Sequence, residues 1–225
     1  MFGKKLTLEE IQFPTESFKT KFNSEIIFWG RKNFSAFPWR TSCSRFHALI
    51  AELMLQRTKA EQVEPIFVKF QKKYPTIESA YNDLNGVSNL LYPLGLAWRV
   101  RKIIELIKEL QFTDIPNDLE KLVVLPGVGK YSASVFRSCH LGYREAIIDT
   151  NIVRIYGRVF GFQVSRETRR KKKFFKIADF MTPEKEFREY NYGLLDFSRI
   201  ICKIRPQCVN CPIIHLCESK ETFNT

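Results

Sequence analysis

Four cysteines fall within sixteen residues toward the end of the chain: Cys202, Cys208, Cys211 and Cys217, spaced C-x5-C-x2-C-x5-C. Thiols this dense must converge in space, and few chemistries gather four of them. A structural zinc takes four tetrahedral sulfurs. A [4Fe–4S] cluster takes one thiolate at each iron. Zinc sites more often couple two short knuckles, and only Cys208 and Cys211 form one, so the spacing favours iron–sulfur and leaves zinc as the alternative. Disulfide pairing fits least. Met1 to Glu10 carry two lysines with no apolar stretch behind them, so no secretory signal is expected. No apolar run nears the roughly 20 residues of a membrane-spanning helix. The chain is therefore expected in the cytoplasm (at the nucleoid in a prokaryote), away from membranes, where disulfides are rare. Cys43 and Cys139, remote in sequence, read as ordinary buried thiols.

With 225 residues, 44% of them hydrophobic and 14% aromatic, the chain can build a sizeable core, which excludes wholesale disorder. Its net charge of +12 attracts polyanions, nucleic acid first and an anionic membrane surface second. Arg169 to Lys173 are five consecutive cations between Arg166 and Lys176. They read either as a phosphate-contacting patch or as a solvated face.

Residues 1 to about 21 look like a loosely held leader. Beyond Phe22 the apolar spacing is helical. Phe46, Leu49, Ile50, Leu53 and Met54 line one helix face, as do Val100, Ile103, Ile104 and Ile107, and Leu194 to Ile201 repeat the pattern more densely. Turn chemistry breaks these stretches at Phe37-Pro38-Trp39, Tyr74-Pro75, Asn85-Gly86 and Leu125-Pro126-Gly127. No segment alternates long enough to be a strand, so an all-α fold is expected.

Leu125-Pro126-Gly127-Val128-Gly129-Lys130 combines two glycines, which permit positive φ and close approach, with a helix start near Lys130 whose free amides face an anion. A DNA phosphate is the natural occupant; an ordinary tight turn is the rival. Asp149, twenty residues past Gly129, precedes a helical stretch over 152–160, where it would cap that helix or stabilise positive charge on a deoxyribose. Glu52 lies with Gln56 at i,i+4, and on the sequence alone reads as a solvated pair.

Taken in order, FPWR (37–40), AELMLQRT (51–58), LPGVGKY (125–131), IIDTN (147–151) and the four cysteines resemble the helix–hairpin–helix DNA glycosylases, the family of endonuclease III and MutY. Within it the likeness is strongest to the MutY catalytic domain and to the Mig thymine–guanine mismatch glycosylases. The resemblance implies two helical lobes flanking a DNA-binding cleft. One is a six-helix barrel with the hairpin over 45–150. The other, over 22–44 and 151–225, holds a [4Fe–4S] cluster on Cys202, Cys208, Cys211 and Cys217. The family usually shows C-x6-C-x2-C-x5-C; here the first loop is one residue shorter.

Carried over residue by residue, Asp149 matches the catalytic aspartate, and Glu52 the glutamate that assists base departure. Gln56 and Arg57 match the segment that fills the gap left by a flipped nucleotide. Leu125, Gly127, Gly129 and Lys130 would contact phosphates; Lys203 and Arg205 in the cysteine loop read either as phosphate contacts or as simply exposed cations. Tyr131 stands where bifunctional members carry a Schiff-base lysine. A phenol cannot do that chemistry, and Lys130 is one position early, so no lyase activity is expected. Ala60 resembles the small residue beside the Mig base pocket, whereas Tyr192, at another base-pocket position, matches neither branch and would stack on a base or fill the core. The chain also ends eight residues after Cys217, short of the domain with which MutY proteins inspect 8-oxoguanine. The implied activity is thus that of a monomeric, monofunctional glycosylase of base excision repair, removing thymine or uracil opposite guanine from mismatched double-stranded DNA. Adenine glycosylase action is one alternative, and non-catalytic mismatch sensing another.

Overall fold

The computed structural model describes residues 6–41 and 43–220. Among them every regular element is helical, and the one extended pairing is an isolated parallel bridge between Leu6 and Phe162. In chain order the α-helices are α1 (Glu16–Lys32), α2 (Pro38–Thr41), α3 (Arg45–Met54), α4 (Ala60–Lys73), α5 (Ile77–Tyr81) and α6 (Leu84–Leu91). They continue as α7 (Ala97–Leu110), α8 (Leu119–Leu122), α9 (Lys130–Val135), α10 (Thr150–Val159), α11 (Lys172–Met181) and α12 (Phe187–Ile200). None among the described residues is long and apolar enough to cross a membrane. The chain forms two compact units, Met1–Ser35 with Tyr143–Thr225, and Ala36–Gly142.

The discontinuous unit is built on α1 and α12. They approach so closely that a Cβ on Gly30 would stand 2.8 Å from Gly193 Cα, and one on Gly193 would stand 2.9 Å from the Ile26 carbonyl. Side chains at either position would force the helices apart. Phe22 packs its edge against Tyr156 and Tyr190, whose hydroxyls bond at 2.7 Å. Burial raises both phenol pKa values. The leader expectation differs from the structure from Leu6 onward. Leu8 and Ile11 are buried, Gln163 N donates to Leu6 O, and Lys173 Nζ donates to Glu9 O and Ile11 O. Helix α1 starts at Glu16, ahead of the apolar periodicity, because the Thr15 hydroxyl accepts from Phe18 N and caps it. Residues 143–149, grouped with the barrel in the sequence reading, pack with this unit. Arg144 donates to Asp179 O and Thr182 O, and Asn191 Nδ2 donates to Glu145 O.

The contiguous unit holds α2 to α9 around one core. The FPWR segment belongs to that core: Phe37 and Trp39 stack with ring centroids 4.8 Å apart, and Trp39 sets its edge on Phe67. Along α3, Leu49, Ile50, Leu53 and Met54 are fully buried. Asn85-Gly86, expected as a turn, lies instead in the first turn of α6. The cause is Asp83, whose carboxylate accepts from Gly86 N at 2.9 Å and caps the helix.

Candidate active site and nucleic-acid interface

The hairpin joins α8 to α9. Leu125 is buried beneath it, and Val128 N donates to Leu125 O. Gly127 takes φ +78°, and a Cβ there would sit 2.9 Å from Lys102 Cβ, so conformation and space both demand glycine. Gly129 differs. It caps α9, and nothing lies within 4 Å of where its Cβ would be, which leaves the first turn of α9 approachable by another backbone. Lys130, the first residue of that helix, is exposed, and Tyr131 follows half-buried.

Gln56 is tied to this hairpin: its Nε2 donates to Gly127 O at 2.9 Å and to Ser132 Oγ at 3.1 Å. Arg57 is exposed and takes φ +57°, a left-handed conformation costly for a side-chain-bearing residue. It lines a groove with Thr58, Gln62, Ile66, Leu94 and Leu96. Arg99 holds both sides of this region. Its guanidinium is buried and donates to Met54 O, Gln56 O and Thr58 Oγ1 on one side, and to Leu94 O and Gly95 O on the other. The motif reading missed Arg99. Its signal was a cation in the buried register of α7, four residues before Ile103. Ala60, expected beside a base pocket, is the first residue of α4 and packs against the hydrophobic core.

Glu52 is not the solvated residue its spacing suggested. It is 7% exposed, and its Oε1 stands 3.3 Å from His140 Nε2. His140 lies in a π-helical turn, Phe136–Leu141, that extends α9, and it was absent from the sequence reading.

In the other unit, Asp149 caps α10, as one of its two sequence readings held. Its Oδ1 accepts from Asn151 N and Ile152 N, and its Oδ2 accepts from Asn151 Nδ2, all at 2.8 Å. Arg154 NH1 donates to Asn151 Oδ1, while its Nε and NH2 donate to Cys202 O and Ser198 O. A continuous polar chain thus runs from Asp149 to the first cysteine.

Cys202, Cys208, Cys211 and Cys217 line one cavity, walled otherwise mostly by apolar groups such as Phe197, Ile201, Ile213 and Ile214. Burial pushes the Cys211 thiol up to about 12 and raises Cys208 and Cys217 as well. Arg158 NH1 donates to Cys202 Sγ. Among the described residues, no three Cys, His, Asp or Glu side chains are gathered closely enough to share one metal ion. Lys203 is half-buried and Arg205 exposed on the loop between the first two cysteines. Tyr192 is buried in α12, edge-on to Phe34, with the Arg188 guanidinium over its ring.

The basic run is partly structural. Lys173 holds residues 9–11, Lys171 pairs with Glu9, and Arg170 pairs with Glu167. Arg169 and Lys172 are exposed.

Among the described residues, then, the elements are helical, a hairpin with two glycines leads into α9, Asp149 caps α10, and four thiols line one cavity. The chain belongs to the HhH-GPD superfamily of base excision DNA repair proteins, whose sequence profile matches residues 50–179. It is 30% identical over 210 residues to a thymine/uracil-DNA glycosylase of Methanothermobacter thermautotrophicus, covering 91% of this chain and 95% of that one. It is 35% identical over 191 residues to a thymine-DNA glycosylase of Aeropyrum pernix, covering 80% and 85%. The solved structure of a thermostable thymine-DNA glycosylase superposes with a TM-score of 0.83 at 29% identity, over 92% of this chain and 98% of that one.

Proposed function

We propose that this protein is a monofunctional DNA N-glycosylase that excises thymine or uracil mispaired with guanine. The observation that carries the reading is the fixed carboxylate of Asp149, held at both oxygens by Asn151 and the start of α10, in a chain 30% and 35% identical to thymine-releasing glycosylases. A base inside a duplex is unreachable, so the nucleotide must first be rotated out, at a cost of a few kcal/mol that is lowest at a mismatch. Contacts from the hairpin at Gly127 and Gly129, from Lys130, and from Lys203 and Arg205 to phosphates offset that cost. Arg57 and Gln56 occupy the space the nucleotide leaves. Base recognition is assigned to Ala60 and, separately, to Tyr192.

Breaking the C1′–N bond leaves oxocarbenium-like charge on the sugar. The Asp149 carboxylate stabilises it and orients the incoming water, while Glu52 in its protonated form donates to the departing base. Tyr131 offers no amine, so no Schiff base forms and the abasic strand is left intact.

The four cysteines fit an iron–sulfur centre. A single zinc needs every sulfur about 2.3 Å from one point, whereas a [4Fe–4S] cluster is ligated at four separate irons and suits thiols disposed around a cavity. Cys202, Cys208, Cys211 and Cys217 would hold the cluster, which would supply positive charge to the four thiolates and cross-link residues 202–217.

The test is base release from duplexes carrying G·T, G·U, G·A and 8-oxoguanine·A, read by alkaline cleavage of the product strand. Thymine and uracil opposite guanine are the expected products, without a borohydride-trapped adduct. If wild type releases as little as Asp149→Asn from every duplex, the protein senses mismatches without catalysing. Iron rather than zinc is expected in anaerobically purified protein.

A further inference from the structure

Glu52 is buried in α3, with apolar residues on either side of it in the chain. Leu49, Ile50, Ala51, Leu53 and Met54 beside it are fully buried. Among the described residues its hydrogen-bonding partner is His140, with Nε2 3.3 Å from Oε1 and both side chains 7% exposed. His140 reaches this position because α9 widens into a π-helical turn over Phe136–Leu141, ended by Gly142 at φ +76°. A π-turn is rare, and where it occurs it re-aims side chains, frequently at functional sites. The Phe136 ring, 6.0 Å away at 33°, packs against the imidazole. Three other ionisable groups of the elements packed here have partners of their own. His47 of α3 is bonded to Ser44 and to Tyr74 O, Arg45 donates to Ile115 O and Asn117, and Arg137 of the π-turn donates to Asn117 O. Cys139 is buried in the same turn, and Lys130 is exposed at the start of α9. Glu52 and His140 thus form a buried acid–base pair.

We propose that His140 is the positioning residue for Glu52: it fixes the carboxyl and shares one proton with it, so that the two side chains act as a single proton donor to the leaving base. This rests on the glycosylase reading above. An imidazole is the one side chain whose ordinary titration range spans neutral pH, so the ring can hold the proton and hand it across the 3.3 Å contact to the Glu52 carboxyl as the base departs. In the competent state the pair carries one proton beyond a carboxylate and a neutral imidazole. As the C1′–N bond breaks, its electron pair leaves with the base. The shared proton passes from Glu52 to a base nitrogen or oxygen, leaving the carboxylate hydrogen-bonded to Nε2–H. Water adds at C1′, and its released proton restores the pair. Two titrating groups replace one, and the rate follows the proton count of the pair.

The test has two arms. In the first, single-turnover base release from G·T and G·U duplexes is measured from about pH 5 to 9 for wild type and His140→Gln, a variant that keeps a hydrogen-bond donor but accepts no proton. The expected result is a loss of about tenfold at neutral pH, with the alkaline limb moved about one pH unit toward acid and DNA affinity unchanged. A superimposable profile overturns the proposal. So does a uniform loss at every pH, which would mark His140 as packing only. The second arm needs no activity. Imidazole resonances are followed against pH in DNA-free protein, the His140 signal being identified among three histidines by its absence in His140→Gln. Glu52→Gln is expected to move the His140 midpoint toward acid, because it removes the neighbouring negative charge. An unmoved midpoint overturns the pairing. A moved midpoint in a protein that releases no base would preserve the pair while defeating the glycosylase reading.

Discussion

Asn151 bridges Asp149 to Arg154: its Nδ2 lies 2.8 Å from Asp149 Oδ2, and its Oδ1 lies 2.8 Å from Arg154 NH1. The Asp149 carboxylate is thus positioned by the start of α10 and by a side chain itself held from behind. Asparagine caps helices as well as aspartate does. Asp149→Asn is therefore expected to fold normally while base release falls about a thousandfold. Asp149→Ala should lose the same activity and about 1 kcal/mol of stability besides. Denaturant unfolding and single-turnover assays on the two variants check this; retention of activity in Asp149→Asn would remove the carboxylate from the chemistry.

Arg99→Met should destabilise the contiguous unit. The variant keeps the bulk of the side chain but strands five acceptors, among them Gln56 O and Leu94 O, in a segment where Arg57 already holds a left-handed backbone. Buried acceptors without donors cost about 1–3 kcal/mol each where water cannot reach them. A loss of about 2–4 kcal/mol is expected, read by urea unfolding. A change below about 0.5 kcal/mol would mean that water replaces the guanidinium.

The cations of the 169–173 run should separate by role. Replacing Arg169 and Lys172 with alanine is expected to weaken binding to all DNA sequences alike and to lower the salt slope by about one for each phosphate no longer neutralised. Lys173→Ala should instead release residues 9–11, which limited proteolysis near Glu9 would detect. A loss of affinity confined to one mismatch would contradict the backbone role.

Asp83 gives an acid-stability signature. The Lys73 ammonium first, then the Tyr74 hydroxyl and the Gly86 amide, hold its carboxyl down to about 2, against an ordinary value of 3.8. A carboxylate depressed in the folded state contributes stability fully above its unfolded pKa, and that contribution is lost as pH falls through the folded value. The gap in unfolding midpoint between wild type and Asp83→Asn should therefore be constant above about pH 5 and shrink between about pH 4 and 2. An equal gap at both ends would show that the charge is immaterial.

What the sequence made legible was what repeats or breaks rules locally. Helical spacing located α3, α7 and α12, and the two glycines marked the hairpin before α9. The aspartate ahead of 152–160 read as a cap because capping is decided within three residues. Residues whose roles depend on distant partners were not legible. His140 meets Glu52 across 88 positions of chain, and Arg99 reaches back 45 to Met54. Lys173 looked like one more surface cation until the carbonyls of Glu9 and Ile11 were beside it. Asn85-Gly86 failed in the opposite direction, a turn signature outweighed by the cap that Asp83 supplies.

Because Met1–Ser35 packs with Tyr143–Thr225 while Ala36–Gly142 is continuous, the two units mature on different schedules during translation. The continuous one finds all its partners nearby in sequence and can collapse while the ribosome is still synthesising the rest. Helix α1 emerges first, yet it must wait, Gly30 uncovered, until the stretch bearing Gly193 has been made. Nascent chains stalled before that stretch should expose the apolar side of α1 to chaperones, and mutations there will register as poor yield before they register as lost repair.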